Sequence, residues 1–361
     1  MSQTTVKVGI VGVGGIANGK HMPALAQLSN VEMVAFCDII EERAIKGAHQ
    51  YGVDGAQVFT DYRELVELEN IDVVHVLTPN YVHAPISIAA LEAGKHVMCE
   101  KPMATTSKEA RAMAEAARKN GKKLTIGYQS RQMAEAQYLK ELCDEGELGE
   151  IYFAKAIALR RRGVPTWGVF LDKEKQGGGP LIDIGTHSLD LTLWLMNNYQ
   201  WKYVVGSTYD KIAKQKNVAN PWGNWEPEEF TVEDAAFGFI LFENGATVIL
   251  ETSWALNIMP STTPCVLCGT KAGADMSDGL RLLGEKGSRL YTLVSEPKIR
   301  GLDPKGKEPE QLGYLEAKQW IDSIIQDTDP VVLPEQALVV TEILEAIYDS
   351  ARLGKPIYNT K

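Results

Sequence analysis

Cysteine is scarce in this chain, five in 361 residues. An odd number at irregular spacing excludes a disulfide framework. Cys265 and Cys268 form a single CxxC, without the second pair that a zinc site needs and without a thioredoxin-like setting. The simpler reading is reduced strand or loop cysteines. No run of about 18 apolar residues occurs, so no transmembrane helix is expected. The first residues lack the cationic segment, apolar core and cleavage site of a secretory signal, which predicts a cytoplasmic protein. Basic residues are outnumbered, 37 Lys and Arg against 47 Asp and Glu, for a net charge of −10. Neither nucleic acid nor an anionic membrane surface is an expected partner. No long repeat and no low-complexity segment is evident.

What is present is enough chain for two domains, each with its own core. Over residues 6–127, short β-rich runs alternate with helical patterns, the mark of a parallel sheet covered by helices on both faces. The predicted strands are Val6–Val11, Glu32–Cys37, Gln57–Phe59, Val73–Leu77, His96–Cys99 and Lys123–Tyr128. The predicted helices are Glu41–Tyr51, Tyr62–Glu67, Ala84–Ala93 and Ser107–Asn120. Gly94 and Gly121 follow two of them as left-handed caps, and Ser107 is the expected N-cap of the last.

The first turn reads Gly12-Val13-Gly14-Gly15-Ile16-Ala17, a G-x-G-x-x-A pattern directly after a strand. Gly12 allows the tight turn, Gly14 lets the backbone approach a pyrophosphate, and Ala17 permits close helix–strand packing. Free N–H groups at the following helix start would hold the anion. Asp38 ends the second strand, where a carboxylate binds ribose hydroxyls and repels a 2′-phosphate. Ile39 and Ile40 supply no cation for that phosphate, although Arg43 is near in sequence. NAD is favoured over NADP, and a tightly held cofactor is compatible with the pattern. Thr78-Pro79-Asn80 leaves the carboxyl edge of the sheet, where ligands bind in open α/β folds. Glu100-Lys101-Pro102 arrives at the same edge. A lysine is ordinarily a solvated surface residue, but this position places Lys101 at the cofactor crevice.

Beyond Tyr128, a helix is predicted from Gln129 to about Asp144, then a strand Ile151–Leu159. Arg160-Arg161-Arg162 reads equally as a solvated basic patch or as a wall of a site. Residues 163–180 form an irregular loop with Gly177-Gly178-Gly179, of a kind that can act as a lid. Trp167 within it suits either sugar stacking or burial as an anchor. A helix Leu181–Met196 starts after Pro180, with Asp183 and His187 four apart on one face. Imidazole titrates near neutrality and suits a general base. Asp183, His187 and Asp190 could instead hold a metal, but no catalytic metal is expected. Two β-rich runs flank Asn244-Gly245 as a hairpin. Residues 212–229, with Trp222 and Trp225, fit a loop recognising the distal part of a glycoside or an oligomer contact. Gln311–Gln326 and Glu335–Arg352 read as amphipathic helices.

Taken together, the G-x-G-x-x-A turn with Asp38, Thr78-Pro79-Asn80, the run Leu91 to Val97, Glu100-Lys101-Pro102 and Asp183-x-x-x-His187 resemble the Gfo/Idh/MocA oxidoreductases. The resemblance implies α/β architecture: a Rossmann doubly wound parallel sheet over 1–127, then an α/β domain over 128–361 with a large open mixed sheet that mediates homo-oligomer contacts. It also implies hydride transfer between a nicotinamide cofactor and a sugar, glycoside or inositol hydroxyl, with C3 of a glucoside as one target. On this basis Lys101, Asp183 and His187 are the candidate catalytic residues, joined at the substrate by Arg160 and Trp167. Candidate cofactor contacts are Gly12, Gly14, Gly15 and Ile16 in the turn, and Asp38 and Ile39 after the second strand. Thr78, Asn80, His83, Glu100, Lys101 and Gln129 complete that set. An NAD-dependent glycoside hydrolase that oxidises the sugar transiently, and a non-catalytic dinucleotide sensor, are the alternatives.

Overall fold

The computed structural model describes residues 5–259, 264–277, 279–295 and 311–360. The chain divides into two units, residues 1–129 with 310–338, and residues 130–309 with 339–361. In the first unit six described strands pair in parallel: β1 (Val6–Val11), β2 (Val31–Cys37), β3 (Gln57–Phe59), β4 (Val73–Val76), β5 (His96–Cys99) and β6 (Leu124–Ile126). Their order is β3-β2-β1-β4-β5-β6. The order reverses between β1 and β4, so a crevice opens at their carboxyl ends. The crossover helices are α1 (Met22–Leu25), α2 (Glu41–Tyr51), α3 (Tyr62–Val66), α4 (His83–Glu92) and α5 (Ser107–Lys119).

Local chemistry sets these boundaries. Gly94 and Gly121 take φ of 79° and 60° after α4 and α5, the left-handed region that glycine tolerates. The N-cap of α5 is Thr106, not Ser107: its hydroxyl accepts the Glu109 N–H, and the Glu109 carboxylate takes the hydroxyls of Thr105 and Thr106. Thr106 and Glu109 stand in capping-box register, which Ser107 misses by one residue. Ala110, Met113, Ala114 and Ala117 then face inward at helical spacing.

The second unit opens on a single 3₁₀ turn, Gln129–Gln132, before α6 (Ala134–Asp144), so the predicted helix is broken at Met133. Nine described strands follow in one mixed sheet: β7 (Ile151–Leu159), β8 (Trp201–Tyr209), β9 (Ala235–Phe242), β10 (Thr247–Ser253), β11 (Cys265–Gly269), β12 (Ala272–Asp275), β13 (Leu280–Lys286), β14 (Arg289–Ser295) and β15 (Ile357–Tyr358). Among the described strands of this second sheet only β7 and β10 pair in parallel; the other pairs run antiparallel. β9 and β10 form the predicted hairpin, with Gly245 at φ 87°. The loop 163–180 contains one helical turn, α7 (Lys173–Gln176). The helix after Pro180 begins with a wide π turn, Leu181–Gly185, and continues as α8 (Thr186–Met196), which packs on β7 and β11.

Assigning all of 128–361 to one domain is corrected by the tail. Residues 310–338 return to the first unit, because α9 (Leu312–Ile325) buries Ala317, Trp320 and Ile321 in the same core as Val8, Ile10, Met22 and Leu25. Thr125 Oγ1 donates to Val332 O at 3.0 Å, tying this segment to β6. α10 (Pro334–Leu353) then carries the chain into the second unit. Ile347 lies so close to β8 and β9 that a Cβ on Gly206 or Gly238 would stand 2.6 Å from it.

Candidate active site

The glycine turn is built as its sequence demands. Gly12 has φ 91°, and a Cβ there would stand 2.6 Å from Leu77 O. At Gly14 and Gly15, by contrast, a Cβ would meet nothing within 4 Å. Their smallness therefore serves an approach from outside the fold. Asn18 braces the loop from within, its amide donating to Val13 O at 3.0 Å and Gly14 O at 2.8 Å. Asp38 is buried, with Oδ2 accepting the Val13 N–H and Oδ1 the Ile40 N–H, at 2.8 and 2.9 Å. Each oxygen keeps a second lone pair for a ribose hydroxyl. Ile39 stands 88% exposed beside it, and Ile16 is also exposed. Asn80 is buried in a 3₁₀ turn, and Gln129 is half-buried. Thr78 Oγ1 is buried without a hydrogen-bond partner among the described residues. Open space over Gly14 and Gly15, an anchored carboxylate at Asp38 and this unspent hydroxyl fit a dinucleotide.

Lys101 follows β5 at the same edge and is half-buried, with a cis peptide to Pro102. Two further residues expected at the cofactor, Glu100 and His83, are buried. Glu100 Oε1 receives Lys20 Nζ and lies against His21 Nε2, both at 2.8 Å, and Oε2 accepts the Lys101 N–H at 3.0 Å. Burial alone would raise its pKa, but Lys20 and His21 outweigh that and hold it well below the usual carboxylate range. Lys20 also meets Glu316 at 2.8 Å. The carboxylate thus props the backbone of Lys101. His83 is fully buried, with Nδ1 2.8 Å from Pro102 O and Nε2 2.9 Å from Thr78 O. Its ring lies between the Thr78 loop and the segment after Lys101, and burial lowers its pKa. Both side chains thus hold the Thr78 loop and the Lys101 segment in place from within the first unit.

In the second unit, Asp183 lies in the wide turn after Pro180 and His187 in the first turn of α8 that follows it. Glu233 is buried and accepts the N–H groups of Gly179 and Leu181 at 2.9 and 3.1 Å, and the Tyr348 hydroxyl at 2.8 Å. A Cβ on Gly178 would stand 2.0 Å from Tyr348 Oη, and one on Gly179 2.1 Å from Glu233 O. These two glycines therefore answer close packing, and the lid reading of the triple glycine finds no support there. On this fixed turn sits Asp183, 7% exposed, accepting the Trp254 indole N–H at 3.0 Å. Burial draws the Arg160 guanidinium below its ordinary pKa, and the charge of Asp183 opposes that shift. Arg160 also donates to Gly163 O at 3.0 Å and lies over the Trp222 ring at 5.2 Å. The three arginines thus separate: Arg160 is half-buried against Trp222, Arg161 is exposed, and Arg162 binds Asn257 at 2.8 Å. Trp167 is 54% exposed, which removes its reading as a buried anchor.

His187 lies half-buried in the first turn of α8. Asp190, the third member of the metal alternative, is fully buried and bound through both oxygens by Arg131 Nε and Nη2 at 2.9 and 2.6 Å. That bidentate pair commits it to structure. Among the described residues no cluster of three or more His, Cys, Asp or Glu could hold a metal. Cys265 is buried in β11 and Cys268 half-buried, both free, and burial raises the Cys265 thiol to about 12. Sequence reasoning missed Lys20, His21, Glu233 and Trp254. Each reaches its partner from far along the chain, so no local spacing announces it.

The doubly wound parallel sheet, with its glycine turn and the anchored carboxylate of Asp38, marks the first unit as a dinucleotide-binding Rossmann domain. The chain belongs to the GFO/IDH/MocA oxidoreductase family. Residues 6–128 match its NAD-binding Rossmann fold and residues 136–288 its C-terminal domain. It is 38% identical over 355 residues to the D-glucoside 3-dehydrogenase of Escherichia coli K12, covering 98% of this chain and 97% of that protein. It is 34% identical over 195 residues to the inositol 2-dehydrogenase of Salmonella typhimurium, covering 54% of this chain and 55% of that one. Among solved structures, the aldose–aldose oxidoreductase of Caulobacter crescentus, complexed with glycerol, superposes with a TM-score of 0.78 at 25% identity, over 98% of this chain and 100% of that chain.

Proposed function

We propose that this protein oxidises a secondary hydroxyl of a sugar, with C3 of a glucoside as the preferred position, using NAD. The observation that carries the reading is Asp183, a carboxylate fixed by the Trp254 indole on the turn that leads directly into His187. The chain-long likeness to a glucoside 3-dehydrogenase supports the substrate class. The glycine turn, Asp38 and Thr78 are the residues that would hold the dinucleotide. When bound, NAD supplies the acceptor for the hydride that leaves the carbinol carbon.

The chain's own residues manage the proton and the geometry. His187 takes the hydroxyl proton as general base, while the carbon–oxygen bond becomes a carbonyl. The Lys101 ammonium stabilises the negative charge growing on that oxygen. Asp183 accepts a neighbouring hydroxyl and orients the ring, with one of its oxygens already committed to Trp254. Glu100 acts through Lys101 by holding its backbone.

We also infer assembly into a homo-oligomer through the second unit's sheet. Tyr152, Val205, Phe239 and Tyr358 are exposed along β7, β8, β9 and β15, a spread of apolar side chains that a partner copy would cover. A reducing compartment, the cytoplasm, suits five cysteines that are all free. Among the described residues no helix is long and apolar enough to cross a membrane.

The test follows reduced nicotinamide by absorbance as methyl glucoside, glucose and myo-inositol are added with NAD, beside Lys101→Ala and His187→Ala. Oxidation of methyl glucoside at C3, with turnover reduced by about 10²-fold or more in each variant, is the expected result. Near-normal turnover in Lys101→Ala removes that residue from the chemistry.

A further inference from the structure

Two loops of the second unit carry exposed tryptophans side by side. Trp167 and Trp222 are 54% and 43% exposed, with ring centroids 5.4 Å apart at 71°. Large aromatic rings usually turn inward, and Trp225, three residues on, does so. Its indole donates to Ala213 O at 2.8 Å and its ring packs against Phe230. Trp222 is instead presented outward on a built support. Asn220 exchanges two hydrogen bonds with the Val164 backbone, both 3.0 Å, and the Thr166 hydroxyl donates to Trp222 O. The two loops are therefore fastened together, and their tryptophans are held in place.

The pair is also continuous with the candidate substrate site. From Asp183 the contacts run to Trp254, then to Phe170 at 6.3 Å, to Trp167 at 5.8 Å and on to Trp222. They return through Arg160, whose guanidinium covers the Trp222 ring and feels the charge of Asp183. The circuit starts and ends at the carboxylate that would orient the oxidised ring. Its inner part is closed and its outer part is aromatic and open to solvent.

We propose that Trp167 and Trp222 form an aglycone subsite, which stacks on the ring joined to the oxidised sugar. The ligand class is a glycoside whose second ring presents a flat C–H or aromatic face, a hexopyranosyl or an aryl group, rather than a free monosaccharide. Arg160 spans the two subsites. Its cation steadies the Trp222 ring while its backbone N–H is held by Ser253 in β10, the strand that leads to Trp254. This inference rests on the sugar-oxidation reading above and names the feature that would select its substrate.

The experiment compares methyl glucoside, phenyl glucoside and a glucose disaccharide in the wild-type protein, Trp222→Ala and Trp222→Phe. The readouts are kcat/KM and, independently of turnover, calorimetric affinity in the presence of NAD. The expected result is a preference for the ring-bearing glycosides that falls about tenfold in Trp222→Ala and returns in Trp222→Phe. A loss for phenyl glucoside alone assigns the subsite to aryl groups, and a loss for both assigns it to ring faces in general. If the ring-bearing to methyl ratio is the same in wild type and Trp222→Ala, by rate and by affinity, the subsite is overturned. Glycosides that bind with this preference yet are never oxidised would keep the subsite and overturn the oxidation reading.

Discussion

The indole N–H of Trp254 donates to Asp183 Oδ2 over 3.0 Å, in a ring that is wholly buried. One oxygen of the candidate substrate carboxylate is thus positioned before any sugar arrives. Replacing Trp254 by Phe keeps most of the apolar packing and removes this donor. The variant is expected to lose about 1–3 kcal/mol of stability and to lower kcat/KM for the glucoside about tenfold. Urea unfolding and steady-state kinetics measure both. Unchanged kinetics would show that Asp183 needs no such hold.

Gly12 and Gly14 separate fold from ligand. Gly12→Ala places a Cβ 2.6 Å from Leu77 O at φ 91°, so it should destabilise the first unit. Gly14→Ala meets nothing within 4 Å, so it should melt like the wild type while NAD affinity falls about tenfold or more. Thermal melting beside a cofactor titration tells them apart. A Gly14→Ala protein with full NAD affinity would contradict the assigned cofactor turn.

His96 gives the fold a pH signature. Its Nδ1 accepts the Lys123 N–H at 3.0 Å, and burial, with Lys122 and Lys123 nearby, lowers its pKa from 6.5 to about 4. A folded-state pKa below the unfolded one means that the neutral ring's contribution is complete above pH 6.5. It is then lost as the pH falls toward 4. His96→Asn offers an acceptor that does not titrate. The wild type should therefore lose stability relative to the variant between pH 6.5 and about 4, followed by urea midpoints. A constant difference across that window would clear His96 of the effect.

The buried pair of Arg131 and Asp190 should behave asymmetrically. Arg131→Met leaves Asp190 as an unpaired buried carboxylate, and breaking such a pair costs about 3–5 kcal/mol. Adding Asp190→Asn removes the charge and should recover part of that loss. Denaturant melts of the two variants decide it. If the double variant is no more stable than Arg131→Met, the uncompensated charge is not the cause.

What could be read from the chain depended on how far each determinant reached. β1, β3, β5 and α2 end where local patterning places them, because hydrophobic runs and terminal charges act over a few residues. The cap of α5 is one residue off because Thr106 and Ser107 are both good capping residues, and only the position of Glu109 distinguishes them. The cofactor turn was legible as a contiguous motif. The supports of the site were not: Glu100 takes Lys20 from 80 residues away, and Asp183 takes Trp254 from 71. Glu100 and His83 illustrate the same limit. Their place beside the crevice is written in the motif, but the inward turn of their side chains is decided by partners the motif does not contain.

The return of α9 to the first unit bears on the order in which the protein is made. A ribosome releases all six strands of the parallel sheet early, yet Ala317, Trp320 and Ile321, which complete the core beside α1, emerge only after almost the whole second unit. The unit begun first therefore waits for residues 130–309 of the other before it can be completed. Until then the nascent chain carries an apolar surface over Met22 and Leu25 that only its own late residues can cover. Cutting the gene after residue 129 would make that temporary exposure permanent.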